Sequence, residues 1–450
     1  MPDILALLQC LQPHLTTTTL RQFSRIAFAL LAITGRVTML GMSRWAGQGG
    51  SYRSVQRFFY TVIPWASLFW LFFRQQLHRP DDVYLLAGDE VVVTKAGKHT
   101  YGLDRFFSSL YGKPVPGLSF FALSLVSTQE RRSFPIRVEQ VVRSEAERAA
   151  RQAQGDAQRS KSPTEKRRPG RPKGSQNKNK VEVTLTAELL RITGMIEAVL
   201  QLIAGFIPLT YLVLDGHFGN NNALQMARQN TLHLISKLRC DSALYWPAEG
   251  SSGGRGRHRK YGNRLDYRNI LDKSLKETTV EGHIQTRIYQ AELLHKDFAQ
   301  PLNVVLIVKT NLQTQAGAHV ILFSSDLKLT YDKLMDYYCL RFQVEFNFRD
   351  AKQYWGLEDF MNVTSTAVTN AANLSLFMVN VSYRLLRDLR QHDPDYSILD
   401  LKADCRGFKY VNQTIKMLPQ KPEPVLLAQI FNAVARLGRV HTVQPCSSPS

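Results

Sequence analysis

Cysteine is scarce in this chain. Five occur among 450 residues, at Cys10, Cys240, Cys339, Cys405 and Cys446, with no Cys-x2-Cys pair and no Cys/His spacing. That excludes a zinc or disulfide framework and fits a reducing compartment. Long apolar runs are missing too. Ile26–Thr34 and Trp65–Phe73 are too short to span a bilayer, and Ile192–Leu214 is broken by Glu197, Gly205 and Pro208. The last of these reads as a buried helix followed by a strand. Met1–Thr19 lacks the basic opening and cleavage site of a secretory signal, and no internal repeat is present. Acidic residues are the final deficit: 37 Asp and Glu face 57 Lys and Arg, a formal charge of +20 with a pI near 9.8. Such an excess calls for a polyanionic partner. With no membrane span in view, nucleic acid is expected and a membrane is not.

Apolar residues at helical spacing predict a helical N-terminal domain over residues 1–80. Within it, "VTMLGMSRWAGQGGSYRSVQRFF" reads as a helix, a Gly-rich turn and a second helix capped by Ser51, with Arg53 and Arg57 one turn apart. A DNA-reading helix-turn-helix and plain helix packing both satisfy this pattern. Over 81–142, "VYLLAGDEVVVTK" and "GLSFFALSLVS" suit strands covered on both faces. Residues 143–180 are basic, with almost no large apolar side chain, and are expected to stay unordered. Over 181–240 come a helix at Thr186–Ile203, the strand "LTYLVLD", a helix around Asn222–Gln229 and the strand "LHLISKL". This order indicates an α/β layer. Residues 241–330 start with the basic loop "GSSGGRGRHRKYGNR" and continue as alternating segments, a β-rich insertion. Helical patterning returns over 331–390, and 391–450 forms a C-terminal region without a signal of its own.

Two carboxylates stand where strands are expected to end: Asp89 after "VYLLAG" and Asp215 after "LTYLVL". Acids at that rim face the ligand crevice of an α/β sheet, although strand-end Asp residues also serve as turn formers and caps. Two such acids can hold Mg²⁺, and a third would complete a two-metal site. The stretch "YYCLRFQVEFNFRDAKQYWGLEDF", Tyr337–Phe360, supplies one. Arg341–Arg349 alternates like a strand, yet Leu340, Val344, Phe348, Ala351 and Trp355 keep helical spacing over a length no ordinary strand reaches. On a helix, Tyr338, Arg341, Glu345 and Lys352 fall within an arc of about 60°. Arg as a fork and Lys as a point charge would grip phosphates beside the carboxylate.

The spacing Tyr338-x2-Arg341-x3-Glu345-x6-Lys352 matches the Y-x2-R-x3-E-x6-K signature of bacterial insertion-sequence DDE transposases. "GDEVVVTKAGKHTYGLDRFFS" resembles that family's first Asp block and "LVLDGHFGN" its second, so the likeness covers roughly residues 81–390. The resemblance implies an α/β protein: a ribonuclease-H-like catalytic core, interrupted by a β-rich insertion and preceded by a helical domain. It implies that Asp89, Asp215 and Glu345 form a metal-binding catalytic triad, with Mg²⁺ as cofactor and Mn²⁺ able to substitute. Tyr338, Arg341 and Lys352 would contact phosphates. The activity implied is cleavage at the terminal inverted repeats of the protein's own mobile element and joining of the freed 3′-hydroxyl to target DNA, by a homodimer on double-stranded DNA. The hairpin route belongs to the same implication, and the location would be cytoplasmic, on the bacterial nucleoid. Trp246 would be either a base-stacking residue or a core Trp. A nuclease of the same fold that cuts without joining, and a non-catalytic DNA-binding descendant, are the alternatives.

"KRRPGRPKGSQNKNK", Lys166–Lys180, contains a Gly-Arg-Pro core resembling an AT-hook. Proline keeps such a segment extended, so Arg171 could enter a narrow minor groove with Arg168 and Lys173 beside it. The plainer reading is a solvated basic linker touching phosphates. "GGRGRHRKYGNR", Lys95, Lys98 and His99 are expected to make phosphate contacts of that unspecific kind. His217, two residues past Asp215, is read as a capping or packing residue, or as a neighbour of the metal.

Overall fold

The computed structural model describes residues 4–108, 111–159, 179–248, 259–267, 270, 272–420 and 422–441. Arg168, Arg171 and Lys173 of the AT-hook-like segment lie outside the described residues. Helices α1 (Ile4–Leu8), α2 (Thr17–Ala32), α3 (Met39–Ala46), α4 (Tyr52–Tyr60) and α5 (Trp65–Phe72) open the chain. The side chains of Thr16, Thr38 and Ser51 each accept a backbone N–H from the first turn of α2, α3 and α4, which satisfies a donor the helix itself cannot. Strands β1 (Tyr84–Thr94), β2 (Asp104–Ser108), β3 (Lys113–Ser127) and β4 (Arg132–Gln140) follow. Then come α6 (Glu145–Arg159), α7 (Ala187–Ile203), β5 (Tyr211–Val213), α8 (Asn221–Gln229) and β6 (His233–Leu238).

Six strands lie within 241–330: β7 (Leu244–Pro247), β8 (Tyr261–Arg264), β9 (Leu275–Glu281), β10 (Ile284–His295), β11 (Leu302–Asn311) and β12 (Gly317–Ser324). Helices α9 (Tyr331–Leu340), α10 (Gln343–Trp355), α11 (Ser365–Leu389), α12 (Ile398–Met417) and α13 (Pro424–Arg436) complete the described chain. None of its described helices is long and apolar enough to cross a membrane.

All strands belong to one mixed sheet of order β2-β3-β1-β5-β6-β12-β11-β10-β7-β8, with β4 on β3 and β9 on β10. β1, β3 and β4 are antiparallel neighbours, while β5 runs parallel to β1 and β6 parallel to β5. Parallel neighbours need a crossover, which α8 supplies between β5 and β6. β12 then returns antiparallel to β6, pairing Ile321 with Leu238 and Ser324 with Ile235. The strands of the insertion therefore continue the central sheet.

α11 is buried on nearly all sides from Asn370 to Ser382. Its Phe377 ring lies 5.1–6.0 Å from those of Phe23, Trp65, Phe69 and Phe72, so the N-terminal helices share one core with it. Asn370 fixes the junction: its side chain accepts from Trp65 Nε1 at 2.7 Å and donates to the carbonyls of Phe59 and Thr61. Lys402 of α12 donates to Leu30 O (2.6 Å) and Tyr354 O (3.3 Å), near the C-terminal ends of α2 and α10. Those carbonyls lack helical partners and carry the negative end of the helix dipole, a fitting place for an ammonium.

Three sequence expectations need correction. β1 runs through Asp89 to Thr94, so Asp89 is not at a strand end. Its parallel partner stops earlier, at Ala87↔Val213, while β3 carries the pairing on to Thr94↔Gly117 because Val91–Val93 still suit a strand. The segment expected to lack order begins instead with α6, whose Glu147 pairs with Arg191 of α7 at 2.8 Å. The single helix expected across Leu340–Trp355 is two helices. Around Arg341 and Phe342 the bonds tighten to three-residue spacing, with Arg341 N to Tyr338 O, Phe342 N to Cys339 O and Glu345 N to Phe342 O. This shifts the face that Glu345 presents relative to Tyr338.

Candidate active site

Asp89 leaves the buried part of β1 just past the end of β5. Its Oδ1 accepts the Glu90 backbone N–H at 2.8 Å and its Oδ2 accepts from Arg341 Nη1 at 2.9 Å. Asp215 follows β5 and caps the one-turn helix Gly216–Phe218, accepting the His217 N–H at 3.2 Å. The Ser236 hydroxyl of β6 donates to its carbonyl at 2.6 Å, tying this loop to the next strand. Glu345 lies in the first turn of α10 and accepts from Arg341 Nη2 at 3.2 Å. Thus Arg341 bridges Asp89 and Glu345, with Asp215 close enough to act on both Asp89 and Arg341 electrostatically.

Burial pushes the Asp89 carboxyl up to about 6, and the like charges of Asp215 and Glu345 add to this against the pull of Arg341 and the Glu90 N–H. Burial would lower Arg341, but Asp89, Tyr338, Glu345 and Asp215 outweigh it and hold the guanidinium above its usual value. Its Nε–H is buried without an acceptor. Tyr338 sits with its ring centre 6.0 Å from the Arg341 guanidinium carbon, and burial raises its phenol. Lys352 donates to Val92 O at 3.0 Å and pairs with Glu358 at 2.9 Å.

Asp89, Asp215 and Lys352 line one cleft of about 670 Å³, together with Phe107, Tyr111 and Glu188. Sequence reasoning misses Glu188, for which the available signal is its position two residues after the Thr186 cap of α7. Its Oε2 lies 3.3 Å from His217 Nε2, a bond that raises the imidazole. His217 thus pairs with an acid on the cleft wall. Lys95, expected to reach for phosphates, instead donates to the carbonyls of Glu358 and Phe360 and lies 3.7 Å from the Phe360 ring centre. Burial lowers its amine to about 8. Trp246 is half-buried on β7 with Lys273 Nζ 5.4 Å from its ring centre. Arg168, Arg171 and Lys173 fall outside the described residues.

Three carboxylates around one site supply the hard oxygen donors that a divalent cation takes. Among the described residues no three His, Cys, Asp or Glu are grouped so that they could hold a metal ion as they stand, and Arg341 bonds both Asp89 and Glu345. The carboxylates would suit a divalent ion only if Arg341 gave up its bonds to Asp89 and Glu345.

One acid from β1, one from the loop after its parallel neighbour β5, and one from a helix packed on β1 and β4 define an α/β protein with a cluster of three carboxylates around Arg341. Residues 10–293 match the family model described as DDE superfamily endonuclease, and the chain belongs to that family. It is a nuclease-type, DNA-acting protein. The match takes in Asp89 and Asp215 and ends before the α9–α10 segment that carries Glu345. No curated protein matches the chain.

Proposed function

We propose that the protein is a transposase of the bacterial insertion-sequence class, cutting the ends of its own mobile element and joining the freed 3′-hydroxyl to target DNA. The observation that carries this reading is the convergence of Asp89, Asp215 and the Arg341–Glu345 segment, from three separate parts of the chain, on one charge cluster beside the cleft. The run β4-β3-β1-β5-β6, three antiparallel strands then two parallel ones, supports a ribonuclease-H-like core. Asp89, Asp215 and Glu345 would hold two Mg²⁺ ions, or Mn²⁺ in their place. Such ions activate the attacking oxygen and steady the leaving one. Arg341 leaves the carboxylates and turns its fork to a phosphate, which also gives Nε–H an acceptor. Tyr338 and Lys352 hold neighbouring phosphates. The helices α3 and α4, and the basic segment with Arg168, Arg171 and Lys173, add further DNA contacts, and two copies bring two DNA ends together.

The test uses a labelled duplex carrying the element's end, with Mg²⁺, and compares wild type with Glu345→Ala. Nicking at the end followed by products joined to a second duplex, both lost in the variant, is the expected result. Nicking without joined products would make the protein a nuclease only. Binding without cleavage by the wild type would overturn the enzymatic reading.

A further inference from the structure

We propose that Phe107 and Tyr111, on the β2–β3 hairpin, form a stacking site for unpaired bases of the DNA strand that runs along the cleft away from the carboxylates. The inference rests on the reading of the cleft as a DNA-cutting site, and deepens it by naming a feature of the substrate. β3 outlasts its pairing with β1, which ends at Thr94↔Gly117, and β2 accompanies it further, from Asp104↔Gly117 to Ser108↔Lys113. The hairpin so formed projects past the end of β1.

Strand alternation sends neighbouring side chains to opposite faces. Phe106 points inward, 1% exposed, with the Arg143 guanidinium 4.1 Å from its ring centre. Arg143 also donates to Asp104 and to the carbonyl of Arg105, which braces the hairpin from behind. Phe107 therefore points outward and is 64% exposed, as Tyr111 is at 54%. Two large aromatic side chains open to water on a braced hairpin gain nothing for the fold. Both nevertheless line the same cleft as Asp89 and Asp215.

Charge selects the occupant. The hairpin's one acid, Asp104, is neutralised by Arg143 and Arg148, while Arg105 and Lys113 stay exposed beside the aromatics. Flat apolar faces among exposed cations suit a nucleic-acid strand, whose phosphates meet the cations and whose bases stack on the rings. Paired bases inside a duplex offer edges and not faces, so the strand must be open here. Distance sets where. Phe107 pairs with Pro114, and Asp89 with Ala122. Those eight residues of β3 span at most about 26 Å at about 3.3 Å each. That corresponds to about eight nucleotides of duplex rise from the scissile phosphate.

The experiment measures binding of the full chain, in Ca²⁺ without Mg²⁺, to two otherwise identical element-end DNAs. One is fully paired; the other is unpaired four to eight nucleotides from the cleavage point, with 2-aminopurine in the open strand. Wild type is expected to bind the opened DNA at least about tenfold more tightly and to quench the 2-aminopurine, stacking being the source of the gain. Phe107→Ala with Tyr111→Ala should lose both effects while binding paired DNA as before, and Phe107→Trp should retain them. An equal preference in wild type and the double variant, or no preference in wild type, overturns the proposal. So does a change of oligomeric state in the double variant with the preference intact, which would assign these rings to a second copy of the chain. If Glu345→Ala cleaves DNA like wild type, the cleft reading itself fails, independently of what the aromatics do.

Discussion

Replacing Asp89 by Asn should stabilise the protein above pH 6 and leave it unchanged near pH 4. The Asp89 carboxyl moves from its ordinary 3.8 to about 6 in the fold, so the native state holds this proton more tightly than the unfolded chain. Each tenfold gain in proton affinity corresponds to about 1.4 kcal/mol. The whole rise therefore contributes about 3 kcal/mol of stability, present below pH 3.8 and lost as pH rises through 6. Asparagine has the shape of the protonated acid and no charge to lose, so the variant escapes the loss. Urea denaturation of wild type and Asp89→Asn at half-unit pH steps from about 4.5 to about 8 measures the gap directly. It should widen from about 1 kcal/mol to about 3 kcal/mol. Added Mg²⁺ should narrow it again by stabilising only the wild type, because a cation beside Asp89 favours its ionised form. A variant less stable than wild type at pH 7.5, or a gap that does not change with pH, would refute the idea that this carboxylate is held ionised at the expense of the fold.

Arg341→Gln should bind Mn²⁺ without DNA at least roughly tenfold more tightly than wild type, since the charge-assisted bonds to Asp89 and Glu345, each about 1.5 kcal/mol, no longer oppose the ion. Electron paramagnetic resonance of free Mn²⁺ reads this, and an unchanged affinity would show that Arg341 does not guard the site. Lys402, buried and lowered to about 8 from its ordinary 10.5, binds its proton less well in the fold than in the unfolded chain. Wild-type stability should therefore rise between pH 8 and 10.5 by up to about 3 kcal/mol, and Lys402→Met should remove that slope in denaturation curves. Asp400 is fully buried and accepts from Ser397, from the backbone of Val440 and His441, and from the His441 ring. Burial alone would raise its carboxyl, but the bonds from Ser397 and His441 outweigh burial and hold it below the usual range. Its contribution is therefore present above about pH 4 and lost as pH falls further. Asp400→Ala should cost about 3 kcal/mol and speed proteolysis near residue 440.

Local signals were readable where one rule dominated. Thr186 marks the start of α7 and Ser51 that of α4, because a hydroxyl before a periodic apolar run leaves little choice. The strands around Leu212 and Leu234, and the α8 helix between them, follow from apolar runs separated by Asn and Gly. The three acids and Arg341 could be chosen from their spacing and neighbours, but their mutual arrangement could not. The bridge from Asp89 to Glu345 depends on a side chain whose reach is set by the tightened turn at Phe342, and nothing in the alternation of Arg341–Arg349 announces that turn. β2 escapes notice because five residues with two charges carry too weak a pattern. The role of Lys95 is hidden because its carbonyl partners, at Glu358 and Phe360, are distant in sequence.

The continuity of the sheet has a mechanical meaning. From β5, which delivers Asp215, the hydrogen-bonded path runs through β6, β12 and β11 to β10 without a hinge. Four inter-strand steps of about 4.8 Å amount to roughly 19 Å. Any DNA held against β10 is therefore kept at a fixed offset from the cutting site, close to about six base pairs of rise. Under the proposed function the sheet would work as a ruler, and lengthening it by one strand would move such a grip by more than one base pair.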